Sequence, residues 1–268
     1  MTLDWTTGLV STGSGGLVGL ALGLVGGGGS ILAVPLLVYA VGVSSPHVAI
    51  GTSAVAVSAS ALGSLLPHWR ADNVKWRCAA VFAAAGVLGA VAGSTAAKAL
   101  DGQSLLALFG IVMVVVGLVM LRRRDEGGDP AVRLTVENAG RLLPLLIGIG
   151  FIVGLFSGFF GIGGGFLIVP GLILATGMPL NNAIGTSLVA VSAFGAATAT
   201  SYAVSGLVDW SLAGLFVLGG LIGGLAGTKL GSVLAQRKRA LGVVFASLVI
   251  AVGLYVIARG LLAMDGAT

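Results

Sequence analysis

Charged and apolar residues are segregated along the chain into long uncharged stretches and short polar ones. No Asp, Glu, Lys or Arg occurs between Asp4 and Arg70, and none occurs between Arg141 and Asp209. A helix crosses a hydrocarbon core about 30 Å thick with roughly 20 apolar residues, so each uncharged stretch has room for about three crossings. A soluble helix would need a polar face toward water, which these stretches lack. The pattern predicts an all-α integral membrane protein.

The sequence contains two copies of one unit. Residues 49–59 read AIGTSAVAVSA and residues 183–193 read AIGTSLVAVSA, so ten of eleven positions are identical. The alignment continues in both directions at an offset of 134 or 135, and it places glycine on glycine, proline on proline and Trp76 on Trp210. Low-complexity membrane sequence would not hold so many residue types in one register. We therefore predict a first transmembrane repeat at 1–121, a cytoplasmic linker at 122–141 and a second transmembrane repeat at 142–268.

Each repeat begins with an apolar stretch that is too long for one crossing. The stretches 9–43 and 142–176 hold about 35 residues each, and a single helix of that length would reach about 50 Å. The glycine runs 26–29 and 161–165 divide them, which predicts a hairpin of two shorter helices or a discontinuous helix in each repeat. Three transmembrane helices complete each repeat, at about 46–67, 77–97 and 104–121 in the first and 180–202, 210–230 and 240–258 in the second.

Basic residues predict how the repeats are oriented. Lys and Arg concentrate in three polar loops, near residues 70–77, 122–141 and 237–239, and basic loops favour the cytoplasm. All three loops are cytoplasmic only if each glycine-broken element makes an even number of crossings. The first repeat then starts outside and the second starts inside, which is the inverted topology of many secondary transporters. Lys98 and Arg259 are the basic residues that this topology places outside.

Composition limits the chemistry. Charged residues make up 9% of the chain and the net charge of +5 is spread over short loops, which favours a lipid bilayer over nucleic acid as the partner. The single cysteine, Cys78, rules out an internal disulfide. The sequence shows no cluster of metal-ligating residues, indicates no cofactor and offers no convincing catalytic arrangement. We expect no metal site and no enzyme.

The glycine runs are the first candidates for a functional site. A helix that starts just after a glycine turn presents its first backbone N–H groups and the positive end of its dipole. Two such starts, related by the inverted symmetry, would converge on one anion site near the middle of the membrane. Close helix packing is the alternative, and with 46 glycines in the chain it must explain most of them. The candidate residues are Gly28, Gly29 and Ser30 in the first repeat and Gly163, Gly164 and Gly165 in the second.

The duplicated Gly-Thr-Ser sequence provides the second group of candidates. Each copy lies about one and a half turns after a proline that suits a helix start. Its hydroxyls can bind a solute or a backbone carbonyl of their own helix. A polar residue near each helix start either lines an approach to the site or forms a hydrogen bond with an unpaired backbone group at a helix end. The candidates are Thr52, Ser53, Thr186 and Ser187, with His47 and its counterpart Asn181 near the helix starts.

The glycine runs and the duplicated motif together resemble a known family. Residues 23–37 read GLVGGGGSILAVPLL, residues 158–172 read GFFGIGGGFLIVPGL, and IGTS follows each of them in the next helix. These sequences are similar to the TauE/SafE family of sulfite and sulfonate exporters, over essentially the whole chain apart from the linker. The resemblance implies a secondary transporter of the cytoplasmic membrane for sulfur-containing anions such as sulfite or sulfoacetate.

The expected function is therefore transport of a small anion by alternating access. A passive anion channel and a non-transporting membrane scaffold are the alternatives. No acidic residue lies in the middle of a predicted span, which argues against a carboxylate proton relay. The expected partners are a small anionic solute and the bilayer, with no nucleic acid, and a homodimer is an open alternative to the monomer.

Overall fold

The chain folds into a helical membrane bundle. The computed structural model describes residues 5–122, 134–135, 137–161, 165–233 and 238–265, and these residues contain helices and no strand. Seven of the helices are long and apolar enough to cross a membrane. The all-α membrane fold is confirmed. These seven are α1 Trp5–Val25, α3 Pro46–Arg70, α4 Trp76–Lys98, α5 Gly102–Arg122, α6 Ala139–Phe160, α8 Leu180–Val204 and α9 Trp210–Val233, and an eighth long helix, α10, spans Lys238–Asp265.

A short segment follows the first long helix of each repeat. The first short segment comprises the 3-10 turn Gly26–Leu32, α2 at Ala33–Pro35 and the π turn Leu36–Ala40. The second short segment is α7, Gly165–Thr176. The two breaks thus lie at the predicted glycine runs.

The breaks divide the apolar stretches unequally. Helix α1 has 21 residues and spans about 32 Å, whereas α7 has 12 residues and spans about 18 Å. Of the two shorter helices expected in each repeat, only the segment after the glycine turn is therefore short, and the helix before the turn is long enough to cross the membrane. The linker prediction, 122–141, falls between the end of α5 and the start of α6 and lies largely outside the described residues.

Proline and a serine cap set the start of the helices that carry the duplicated motif. Pro46 occupies the first turn of α3, where its missing N–H is harmless, and the Ser45 hydroxyl accepts a hydrogen bond from the Val48 N–H at 3.4 Å. Pro179 stands immediately before α8, and its carbonyl accepts the Ala183 N–H at 3.0 Å. The motif therefore falls in the second turn of both helices.

Glycine allows two helix pairs to pack backbone against backbone, and each pair joins the two repeats. In the α1–α9 pair, a Cβ added at Gly19 would overlap the carbonyl of Gly220. In the α4–α6 pair, a Cβ added at Gly154 would overlap the carbonyl of Gly86. These two contacts are equivalent under the repeat alignment. Close packing thus accounts for glycines outside the turns, as small residues do in membrane helix interfaces.

Equivalent helices of the two repeats pack against each other in opposite directions. At the centre of the α3–α8 pair, the Ser58 hydroxyl donates a hydrogen bond at 2.8 Å to the carbonyl of Ser192, its own counterpart. The α5–α10 pair is likewise antiparallel, because Gly110 lies beside Gly253 whereas Gly117 lies beside Ala246. Both pairs of equivalent helices therefore run antiparallel where they pack. Which side of the membrane each end faces, and with it the inverted topology, stays a prediction.

Candidate functional site

The glycine turn of each repeat lies against the Gly-Thr-Ser helix of the other. Helix α6 ends at Phe160, and the next residue, Gly161, has a left-handed φ of 66°. The Ile50 side chain of α3 fills the space where a Cβ of residue 161 would stand. Gly26, with φ of 72°, makes the same contact with Ile184 of α8. Glycine is required at both turns because a Cβ disfavours this conformation and because the isoleucine is so close.

The serine of each motif hydrogen-bonds to backbone carbonyls. The Ser53 hydroxyl lies 2.9 Å from the Ile50 carbonyl oxygen in its own helix and 3.1 Å from that of Gly161 in the other repeat. The Ser187 hydroxyl donates to the Ile184 carbonyl at 2.7 Å. Both serines are fully buried. The bond to a carbonyl of the same helix, one of the two roles considered for these hydroxyls, is therefore present in both repeats.

The threonine of each motif has a different partner. The Thr52 hydroxyl oxygen accepts the Asp209 N–H at 3.0 Å, and the Thr186 hydroxyl oxygen accepts the Lys75 N–H at 3.0 Å. Both threonines are fully buried. A hydroxyl that accepts a bond in this way still has its own proton to donate. Each threonine hydroxyl can therefore accept the backbone bond from the other repeat and donate a bond to a solute at the same time.

The candidate residues after the glycine turns are partly explained by packing. Gly29 lies against α1, because an added Cβ would overlap the backbone of Ala21 and Leu22. Gly28 belongs to the 3-10 turn, and Ser30 is fully buried there. Gly165 begins α7, whereas Gly163 and Gly164 lie outside the described residues. The first N–H groups of each short segment have no acceptor within their own helix, as at every helix start.

The structure does not bring the two glycine turns to one point. Ile50 precedes Ser58 by eight residues, and Ile184 precedes Ser192 by eight residues in the opposite direction. At about 1.5 Å per residue, the two isoleucines are roughly 20–25 Å apart along the α3–α8 pair. The turns themselves thus lie apart, whereas the 3-10 turn Gly26–Leu32, which starts the first short segment, contacts α7. Convergence of the two helix starts on one site near the middle of the membrane stays a prediction.

The candidates instead form two equivalent groups. The Gly161 half-site consists of Gly161, Ile50, Thr52 and Ser53, and the Gly26 half-site consists of Gly26, Ile184, Thr186 and Ser187. The short segments that leave the two turns contact each other, so they link one half-site to the other through the interior of the bundle. The site thus has two halves, one at each end of the α3–α8 pair.

The polar residues near the helix starts lie far from each other. His47 places its Nε2 3.3 Å from the carbonyl of Ala97, in the last turn of α4, so it satisfies a helix end. Asn181 is exposed in the first turn of α8. Because α3 and α8 are antiparallel, these two counterparts are about 30 Å apart. A part in solute approach stays a prediction for both.

Several buried hydroxyls were missed by the sequence analysis. Within the described residues, the oxygens of Ser64, Ser157, Thr198 and Tyr202 are buried and have no hydrogen-bond partner. Tyr202 packs beside Gly51, next to the Gly161 half-site. Thr198 lies at the level of Thr52 in the α3–α8 register, and Ser64 lies at the level of Thr186. The repeat alignment at an offset of 134 pairs Ser64 with Thr198 and His68 with Tyr202. This pairing of polar residues was the signal in the sequence that could have revealed them.

Comparison with known proteins identifies the chain. The family model described as sulfite exporter TauE/SafE matches residues 12–256. A probable membrane transporter protein of Xylella fastidiosa (strain 9a5c) is 53% identical over 251 residues, 94% of this chain and 95% of that protein. The probable membrane transporter protein YunE of Bacillus subtilis (strain 168) is 28% identical over 248 residues, 84% of this chain and 87% of that protein. No solved structure matches the chain.

The family match spans both repeats, and it confirms the resemblance carried by the duplicated glycine and IGTS motifs. The relatives are membrane transporters by name, in agreement with a bundle whose helices are long and apolar enough to cross a bilayer. The chain belongs to the sulfite exporter TauE/SafE family and is a multi-pass transporter of the cytoplasmic membrane.

Proposed function

We propose that this transporter moves a small sulfur oxyanion or organosulfonate, such as sulfite or sulfoacetate, by alternating access. The observation that carries the proposal is the duplicated contact between a glycine turn of one repeat and the Gly-Thr-Ser helix of the other. It occurs once at each end of the α3–α8 pair, at Gly161 with Ile50 and at Gly26 with Ile184.

The donors of each half-site suit an anion. The short segments start there with backbone N–H groups, and the threonine hydroxyl adds a proton that its bond to Asp209 or Lys75 does not use. An oxyanion with three or four oxygens can accept several such bonds at once, and bonds to an ionised acceptor are stronger than neutral ones. No Lys or Arg lies between Asp4 and Arg70 or between Arg141 and Asp209, so N–H and O–H groups supply the direct bonds. Lys98, whose Nζ lies 5.7 Å from the centroid of the Tyr202 ring, adds a positive charge beside the Gly161 half-site.

The symmetry of the half-sites suits alternating access. Two equivalent contacts at opposite ends of one bundle can exchange roles, one open while the other is closed, at little cost in free energy. The α1–α9 and α4–α6 pairs pack through backbone contacts and are the natural rigid parts of such a motion. The solute would pass between them, along the buried hydroxyls of α3 and α8, from Thr198 and Tyr202 at one end to Ser64 at the other.

Flux into proteoliposomes that contain only this protein tests the proposal. Sulfite, sulfoacetate, taurine, sulfate and thiosulfate would be compared under imposed pH and sodium gradients. Alternating access predicts saturable uptake that unlabelled substrate on the opposite side accelerates. Flux that does not saturate and shows no such counterflow would indicate a passive channel, and no flux of any anion would favour a scaffold.

Ligand charge gives a second test in detergent solution. Calorimetry or thermal shifts should show small pyramidal or tetrahedral oxyanions binding more tightly than amines of similar size. A cationic ligand preferred over every sulfur oxyanion would refute the anion assignment, whatever the flux experiment shows.

A further inference from the structure

An open apolar groove lies on the flank of the bundle, and none of its lining residues belongs to either half-site. It has a volume of about 490 Å³ and runs between α1, the first short segment and α10. Leu17 and Leu24 line it from α1, Leu36 from the short segment, and Leu248 and Val252 from α10. Such a volume is in the range of roughly 300–1,000 Å³ that small-molecule sites occupy.

The second repeat has aromatic residues at two positions equivalent to residues that line the groove. The repeat alignment sets Ala21 and Leu24, which line the groove, against Phe156 and Phe159. Phe156 and Phe159 pack on Phe160 at centroid distances of 6.4 and 5.0 Å, and Phe109 of α5 packs on it at 5.5 Å. The second repeat therefore carries larger side chains at the positions equivalent to these two lining residues of the groove.

Polar and charged groups stand at one end of this groove. Tyr39 of the first short segment and Tyr255 of α10 pack edge to face with centroids 5.2 Å apart, and both line the groove. Arg259 is exposed one turn after Tyr255, on the same face of α10. Along this face of α10, the side chains thus change from aliphatic to aromatic and then to cationic toward the end of the helix.

We propose that this groove binds an anionic phospholipid. One acyl chain lies along the leucines, and the phosphodiester meets Arg259 and the two tyrosine hydroxyls. Tyrosine and arginine at the end of a membrane helix suit the headgroup region, and a basic side chain near the surface attracts anionic lipid by about 1 kcal/mol, or roughly fivefold in affinity. Arg259 is one of the two basic residues that the predicted topology places outside, and this site gives it a ligand.

Native mass spectrometry of the full chain in mild detergent tests this site by titration with phosphatidylglycerol and with phosphatidylcholine of the same acyl chains. Wild-type protein should prefer phosphatidylglycerol, and Arg259→Gln should weaken its binding about fivefold, to the level of phosphatidylcholine. Arg122→Gln, which removes an exposed charge at the end of α5, is the matched control and should leave the preference unchanged.

Two substitutions test the acyl groove. Leu24→Phe copies the ring of Phe159 into it, and Leu248→Phe adds a ring from α10; each should weaken both lipids. Leu118→Phe, at a leucine of α5 that is as exposed as Leu248, is the control, and a melting temperature confirms that each variant is folded. Equal binding of both lipids by wild-type protein, or an Arg259→Gln variant that keeps the preference, would overturn the proposal. So would a dimer that Leu248→Phe dissociates, since a second copy would then occupy the groove.

Discussion

The hydroxyl of Thr52 in the first repeat accepts a hydrogen bond at 3.0 Å from the backbone N–H of Asp209 in the second. Thr186 and Lys75 repeat this bond in the other direction at the same distance. Asp209 and Lys75 each stand immediately before a long helix, α9 and α4, whose first N–H groups need partners from outside the helix. The duplicated motif therefore ties each repeat to the start of a helix in the other.

Thr52→Val should lower both stability and substrate affinity. The substitution keeps the shape of the side chain but leaves the Asp209 N–H without its acceptor, which costs about 1–3 kcal/mol of unfolding free energy. If the hydroxyl proton also binds the solute, affinity should fall by about five- to thirtyfold, or about 1–2 kcal/mol. Thermal unfolding in detergent and calorimetric titration with the preferred oxyanion measure the two effects.

Two further variants at threonine positions separate these effects. Thr52→Ser keeps the acceptor and the proton, so it should retain most of both properties. Thr200→Val removes an exposed hydroxyl that bonds only the Ala196 carbonyl of its own helix, and it should change neither by more than about 0.5 kcal/mol. Unchanged affinity in Thr52→Val and in Thr186→Val would move the solute site away from both motifs.

Gly161→Ala should destabilise the protein more than Gly177→Ala. Both glycines have left-handed φ angles, 66° and 72°, so both variants pay about 1–2 kcal/mol of backbone strain. Only at Gly161 would the new Cβ meet another side chain, that of Ile50, since nothing lies within 4 Å of the Cβ position at Gly177. The difference in melting temperature isolates the contact between the repeats, and equal losses would show that Ile50 moves aside freely.

Sequence patterns predicted the helix boundaries closely, because the signals that mark a helix boundary are local. Pro46 begins α3 as predicted, Leu180 begins α8 directly after Pro179, and the glycine runs mark both breaks. Charge-free stretches can be read as membrane spans without any tertiary contact, since lipid rather than protein sets their composition. The duplicated motif also marked the residues that join the two repeats.

The long-range partners could not be read from one sequence. Thr52 bonds a residue 157 positions away, and nothing local to Thr52 indicates Asp209. The separation of the two half-sites followed from the unequal lengths of the helices before and after each turn, which hydropathy does not define because both parts are apolar. The first short segment also departs from the regular helix of α7, since four consecutive glycines, Gly26–Gly29, support a regular helix poorly.

Cysteine labelling tests the predicted topology. In a Cys78→Ala background, which removes the buried native cysteine, a cysteine at position 128 should react only with reagent on the cytoplasmic side. A cysteine at position 206, in the exposed turn between α8 and α9, should react only from outside. The expectation follows from the arginines that flank position 128 in the linker. Labelling of both positions from one side would contradict the inverted arrangement.

Gly154→Ala should weaken the α4–α6 pair, whereas Gly148→Ala should be harmless. The first variant drives a methyl group into the carbonyl of Gly86, and overpacking of this kind costs about 1–3 kcal/mol. The second places the same methyl in open space on the same helix and should gain a few tenths of a kcal/mol to about 1 kcal/mol from helix propensity. Melting temperatures compare them, and a neutral Gly154→Ala would remove this pair as a rigid part of the transport motion.

Tyr202→Phe should raise stability while it lowers transport. The Tyr202 hydroxyl is fully buried and has no hydrogen-bond partner among the described residues, so its removal relieves a desolvation cost of about 1–3 kcal/mol. If that hydroxyl is kept for the passing solute, the variant should melt at a higher temperature and carry less flux.

Tyr255→Phe is the control for this last variant, because Tyr255 lines the lipid groove, whereas Tyr202 packs beside Gly51. Its flux with the preferred oxyanion should equal that of wild-type protein in liposomes of zwitterionic lipid alone. A higher melting temperature together with a lower flux would show that Tyr202 acts in transport, since a purely structural tyrosine would change stability and leave flux per folded molecule unchanged. A Tyr202→Phe protein that is stabilised and fully active would place the solute path away from the α8 hydroxyls.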